Sequence, residues 1–265
     1  MRVAQFVLCF LLAFASSPRL NSQQSTTAAQ RDPQAIALLS QALTASGGAT
    51  LTASLYDFTA SGSITYSWAG SQVQGAATIQ ALGITSFRVD AKLPEGVRSW
   101  VITQGQGSIR ETNGQVSPIL WHNTIHLGAL SLPQWKIANV LNDPTLSVQY
   151  FGTDSFSGHQ VAIIRVQKPT DASTDPGGIF SHLSAMDFLI DVPTYQVIGV
   201  RDALHPPGNS MQDVRHEIAF ADFRVVNGSL IPFSITETVA GQETWSLRLN
   251  VITFNTGLTN VDFQL

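Results

Sequence analysis

The sequence predicts a mainly β protein: a strongly curved antiparallel sheet of about eleven strands, with two or three helices packed on its concave face. Three observations carry this reading. An amphipathic helical stretch beginning near residue 33 gives way at residue 56 to a side-chain period of two, which persists with interruptions to residue 254. The periodic runs are separated by short turns rich in glycine, proline and asparagine, and sequential strands joined so tightly are antiparallel neighbours. The first strand is long and carries Gly62 midway, the kind of position where a strand bends as its sheet curls.

The elements follow in order. Arg2 precedes the apolar run Val3 to Leu12, and Ala13 and Ala15 are small residues at minus three and minus one, so residues 1–15 read as a signal peptide cut after Ala15. Counted on to Ala15, the apolar stretch is about thirteen residues, short of the roughly twenty that a spanning helix needs. Cys9 lies inside this run behind bulky Leu8, where lipid attachment would require a small residue. It is therefore expected to leave with the peptide, and the mature chain then has no cysteine and no disulfide. Residues 16–31 form a polar, flexible leader. Residues 32–265 are expected to form one domain.

That domain opens with Asp32 as an N-cap and Pro33 at the first helical position; Ile36, Leu39 and Leu43 then recur at helical spacing up to Gly47-Gly48, which predicts a helix over 33–45. In the first strand Tyr56, Phe58, Ala60, Ile64, Tyr66 and Trp68 share one face. Further strands are predicted at 72–81, 85–93, 97–104, 107–113, 145–152, 159–168, 185–192, 195–203, 212–226, 230–240 and 243–254. Asn227-Gly228 and Gly241-Gln242 supply hairpin turns. The stretch 116–143 breaks the period. It carries Leu120, Trp121, Leu127 and Leu130, and then a short helix opened by Pro133 with Trp135, Ile137, Val140 and Leu141. Its apolar content is too high for a solvated loop, so it is expected to lie across a sheet face as a plug or lid. A polar loop from Asp171 to Gly178 precedes one more helical turn at Ile179.

Several chemistries find no support. Charged residues make up 12% of the chain, about half the usual share, and the net charge of −4 contains no run of either sign, so nucleic acid is not an expected partner. His122 and His126 have the one-turn spacing of a metal pair but no third ligand beside them. His159, His182, His205 and His216 read as separate surface or turn residues, and no metal is expected. No Gly-x-Ser-x-Gly elbow exists, and Gly105-Gln106-Gly107 and Gly177-Gly178 lack the following helix that a phosphate cradle needs. Asp187, Asp191, Glu217 and Asp222 would have to face each other across a cleft to act as glycosidase carboxylates. Asn227-Gly228-Ser229 reads as a turn before it reads as a glycosylation sequon. The chain is therefore expected to be a non-enzyme without a cofactor.

Aromatic residues give the positive signal. A strongly curved sheet cannot fill its own hollow, so helices or a ligand must do so. The residues expected to line an apolar site are Tyr56, Phe58, Tyr66, Trp68, Trp100, Leu120, Trp121, Leu127, Leu130, Trp135 and Val140.

The phrases Phe188-Leu189-Ile190-Asp191, Pro193-Thr194-Tyr195-Gln196-Val197, Leu230-Ile231-Pro232-Phe233, Phe254-Asn255-Thr256-Gly257-Leu258 and Val261-Asp262-Phe263-Gln264-Leu265 close this sequence. Together with the opening helix and the helical insert, they resemble the LolA/LolB/LppX family of periplasmic lipoprotein and lipid carriers over roughly residues 33–265. The resemblance implies a half-barrel that binds acyl chains beneath a movable helical lid. It also implies a soluble periplasmic or secreted monomer whose partners are a lipid or acylated protein and other envelope proteins. One departure stands out: carriers of the LolA type hold the lid with an arginine near the hollow, and the first strands here carry none before Arg88. A general lipid-binding or envelope role is therefore expected in preference to lipoprotein handover. The alternative is a structural or protein-interaction module of the cell envelope whose hollow is filled by its own helices. An enzyme ranks third and would need converging polar side chains in the hollow.

Overall fold

A computed structural model describes residues 29–68, 70–125 and 132–265. The signal peptide and most of the expected leader lie outside these residues. Among the described residues no helix is long and apolar enough to cross a membrane.

The described residues form one antiparallel sheet of thirteen strands: β1 Asp57–Trp68, β2 Ser71–Leu82, β3 Ser86–Leu93, β4 Gly96–Thr103, β5 Gln106–Arg110, β6 Val116–Ile119, β7 Ser147–Phe156, β8 His159–Gln167, β9 Met186–Asp191, β10 Val197–Leu204, β11 Val214–Val226, β12 Ser229–Val239 and β13 Gln242–Phe254. Their spatial order is β6-β5-β4-β3-β2-β1-β13-β12-β11-β10-β9-β8-β7, two meanders joined where β1 pairs with β13. The two edges, β6 and β7, do not pair, so the sheet is a half-barrel. The count exceeds the expected figure of about eleven: the twelve segments with a period of two all form strands, and Val116–Ile119 adds a thirteenth at the edge. Its Pro118, opposite Ser108, is tolerated there because an edge strand has one side free of ladder bonds.

Curvature is built in at glycines. A Cβ on Gly62 would lie 2.0 Å from the carbonyl oxygen of Arg248, and one on Gly75 would lie 2.1 Å from that of Lys92. The backbones approach more closely than any side chain allows, and the β1–β13 register shifts at Ser61/Gly62.

Among the described residues four α-helices accompany the sheet: α1 Pro33–Ala45, α2 Ala49–Ser54, α3 Pro133–Asn142 and α4 Ile179–Leu183. The first has the predicted bounds, with the Asp32 carboxylate accepting from Gln34 N at 2.8 Å. The unexpected α2 is six residues long and lacks an apolar period. Gly178 opens α4, which is too short to form an anion cradle.

Ala35, Leu39 and Ala42 of α1 and Ile137 and Val140 of α3 are fully buried against the sheet, in one continuous core with Phe58, Ile164, Phe188 and Phe220. Each such burial contributes about 1.5–3 kcal/mol for the larger side chains. Order reaches further toward the amino terminus than the expected boundary at Asp32. Arg31 bridges Val148, and its guanidinium donates to the carbonyls of Val140, Leu141, Asp143 and Leu146 at 2.8–3.3 Å. The cation thus caps the C-terminus of α3, where the helix dipole is negative.

Candidate functional site

Among the described residues, the helices that pack in the hollow, α1 and α3, occupy one end of it. At that end the indole of Trp135 lies 5.8 Å from the ring of Phe58, and Phe254 meets Phe58 edge-on at 6.2 Å. The void left beside Phe58, Leu132, Ile231 and Leu249 is about 10 Å³, no more than one water could use. The insert around α3 is a plug.

The other end is open. A cavity of about 640 Å³ is bounded by the ends of β1, β2, β4, β5, β10, β12 and β13, by the β3–β4 turn and by Asn123 just past β6. That volume is in the range of sites for small organic ligands. The alternation of β1 places Tyr66 and Trp68 in the same row as Phe58, but at the far end of the strand. Trp100 packs on Phe87 at 5.1 Å and reaches Trp245 across the hollow at 6.1 Å, so the two indoles separate the cavity from the plugged core. Val73, Leu93, Ile109, Ile119 and Leu204 complete the apolar lining.

Arg98, Glu111 and Glu237 in the wall are paired. Arg98 makes a two-pronged contact with Glu111 at 2.9 and 3.3 Å, and its guanidinium lies 4.7 Å from the centre of the Tyr66 ring. Glu237 accepts from Thr244 and sits 3.1 Å from Nε2 of His216, whose Nδ1 is 2.5 Å from Asp202. Burial alone would lower the His216 pKa. The hydrogen bonds and charges of Asp202 and Glu237 outweigh it and hold the imidazolium up to about 10. The Tyr66 hydroxyl is buried and has no hydrogen-bond partner among the described residues. Burial raises its pKa, partly offset by Arg98.

The sequence-derived residues divide by place. Tyr66, Trp68 and Trp100 line the cavity. Phe58, Trp135 and Val140 are buried in the plugged end. Tyr56, at 66% exposure, precedes β1 and points to solvent. Leu120 is partly exposed, and Trp121 lies against Phe180 at 5.9 Å outside the cavity. Leu127 and Leu130 lie outside the described residues, as does His126. The strand parity gave no sign of Arg98, Glu111, Glu237 or Thr244.

The carboxylates weighed for catalysis are engaged elsewhere. Asp187 binds Arg165 at 2.7 Å, Glu217 binds Arg201 at 2.8 Å, Asp191 meets His159 at 3.1 Å and Asp222 binds Arg224 at 2.6 Å. None of them lines the cavity. Arg88 is held by Asp90 and by the carbonyls of Asp262 and Gln264 near the C-terminus; its neighbours Phe87 and Val89 face the core, so Arg88 lies on the opposite face.

No family model matches the chain, and no curated protein matches it. Among solved structures, a protein domain from Vibrio parahaemolyticus described as outer-membrane lipoprotein-sorting aligns with a TM-score of 0.53 at 12% identity, covering 87% of this chain and 96% of that one. A LolA superfamily protein from Nitrosomonas europaea aligns with a TM-score of 0.52 at 11% identity, covering 87% and 97%. These likenesses show the fold: a LolA-like half-barrel.

Proposed function

We propose that this chain is an exported, non-enzymatic carrier that holds one apolar ligand, a lipid or the acyl chain of an acylated protein, in the open end of its half-barrel. The observation that carries the reading is the division of the hollow: one end packed down to a void of about 10 Å³, the other keeping a cavity of about 640 Å³ walled by tryptophans and aliphatic side chains. A methylene moved from water into such a wall contributes about 0.8 kcal/mol, so a chain of eight or so carbons binds without a dedicated headgroup contact. The pairing of Arg98 with Glu111 and of Glu237 with His216 supports this, because these charges are spent within the wall and leave area as the main attraction for a ligand.

Trp68, 80% exposed at the rim, supplies an apolar landing for a chain arriving from a membrane or a partner. The stretch before Ala15 fits export, and the lipoprotein-sorting and LolA-superfamily descriptions of the fold relatives fit an envelope role. Arg88 lies outside the hollow, and the arginine that lines the cavity, Arg98 of β4, is held by Glu111, which favours general lipid binding over lipoprotein handover by a lid-holding arginine.

Titration with a fluorescent long-chain fatty acid tests the reading. Saturable binding of one probe per chain that quenches tryptophan emission is expected, since Trp68, Trp100 and Trp245 all line the cavity. A folded protein that leaves the probe in water would refute it. The second reading, a structural module, draws on the helical filling of one end, and it would require the open end to be filled by a partner protein.

A further inference from the structure

Histidines that look unrelated in the sequence converge beside the β10–β11 loop. Nε2 of His182, in α4, lies 2.8 Å from Oδ1 of Asp213, and Nε2 of His205, just past β10, lies 3.1 Å from the same oxygen. The three atoms are all within 4.8 Å of one another. His205 is 2% exposed, while His182 and Asp213 are 33% and 53% exposed, so the cluster has a buried back and an accessible front. It opens onto a cleft of about 170 Å³ that is separate from the apolar cavity.

We propose that His182, His205 and Asp213 bind a divalent transition-metal ion of the zinc class. Zinc bonds to imidazole nitrogen and carboxylate oxygen at about 2.0–2.2 Å, so tetrahedral ligands stand roughly 3.3 Å apart. The two imidazole–carboxylate spacings, 2.8 and 3.1 Å, fall just short of that value, and the ion fits after the carboxylate withdraws by a few tenths of an ångström. Two imidazoles and one carboxylate select a borderline ion over calcium or magnesium, which prefer oxygen alone. The cationic side chains of the cleft do not repel it: Arg165 is held by Asp187 and Arg201 by Glu217. A fourth position faces the cleft and takes water.

His205 is held in place before any ion arrives. Asn123 accepts from its peptide N–H at 2.8 Å and donates to its carbonyl at 3.0 Å. Asn123 and Leu204 both line the apolar cavity, and Phe180 of the same short helix as His182 meets Trp121. The ion therefore acts as a clasp that ties α4 and the β10–β11 loop to one wall of the cavity.

The test uses untagged protein and zinc chloride alone, read by calorimetry at pH 7.5, with magnesium chloride as the hard-cation control. One zinc per chain is expected, with no magnesium heat and a rise in Tm on zinc addition. Asp213→Asn and His182→Gln alter accessible side chains, and their circular dichroism without metal is expected to match that of the parent chain. Each is expected to weaken zinc binding beyond the 10- to 100-fold that loss of an outer partner of a ligand produces. Absence of stoichiometric binding at about 100 μM zinc, or binding unchanged in both folded variants, overturns the proposal. Neither result bears on whether a fatty acid enters the cavity.

Discussion

Trp100 and Trp245 touch at 6.1 Å although their strands are separated by three others. Four strand spacings in a flat sheet amount to about 19 Å. The contact therefore exists only because the sheet curls, and it places an aromatic floor between a packed core and an open cavity.

Trp100→Ala is expected to remove that floor. Truncation of a buried tryptophan costs about 3–5 kcal/mol, and the cavity would extend toward Phe87. Urea unfolding would report the loss of stability, and a larger fluorescent ligand would then be accepted.

At the plugged end, Trp135 makes the opposite case. Its indole N–H is buried without a partner among the described residues, a cost of about 1–3 kcal/mol, so Trp135→Phe trades lost volume against the removal of an orphaned donor. Its unfolding free energy should stay within about 1 kcal/mol of the parent, whereas Trp135→Ala should lose about 3–5 kcal/mol. Equal losses for both would contradict this account.

Gly62→Ala would press a methyl against the Arg248 carbonyl, where the space is 2.0 Å. A loss of at least the 1–3 kcal/mol typical of overpacking is expected, visible as a lowered Tm.

Stability should also depend on His216. Its folded pKa of about 10 lies above the ordinary 6.5, so its contribution is complete below pH 6.5 and fades as the pH rises toward 10. With the imidazole 3% exposed, the contribution is on the order of a few kcal/mol. The stability gap between the parent and His216→Gln, measured in urea, should be widest near pH 6 and narrow by pH 10. A gap independent of pH would contradict the assignment of the charge.

Much of the fold was legible because burial on one face of a strand imposes a period of two. The rows from Phe58 to Trp68 and from Trp245 to Val251 announce themselves. Their facing is not uniform, however: Trp245, Leu247 and Leu249 are buried while Val251 is 53% exposed, because the bulge opposite Ser61/Gly62 flips the alternation. The β6 strand was hidden by Pro118, and α2 by its threonines and short length. Within the site, parity supplied Tyr66, Trp68 and Trp100. It could not distinguish the open end of a strand from the plugged one, which is why Phe58 and Trp68 shared one reading and have different surroundings. Arg98, Glu237 and the His182–His205–Asp213 cluster come together through contacts between distant segments, for which local pattern holds no signal.

Rim position can be separated from folding with Trp68→Ala. An exposed side chain contributes little to stability, within about 0.5 kcal/mol, so the variant should unfold like the parent. Its uptake of fatty acid from vesicles should be slower. Unchanged uptake would remove Trp68 from the entry route.

The most direct measurement is native mass spectrometry of the protein after incubation with phospholipid vesicles, beside a variant carrying Ile109→Glu in the cavity wall. The account predicts a mass increment of one acyl-bearing ligand on the parent chain and its loss in the folded variant. A parent chain that stays at its bare mass would contradict it.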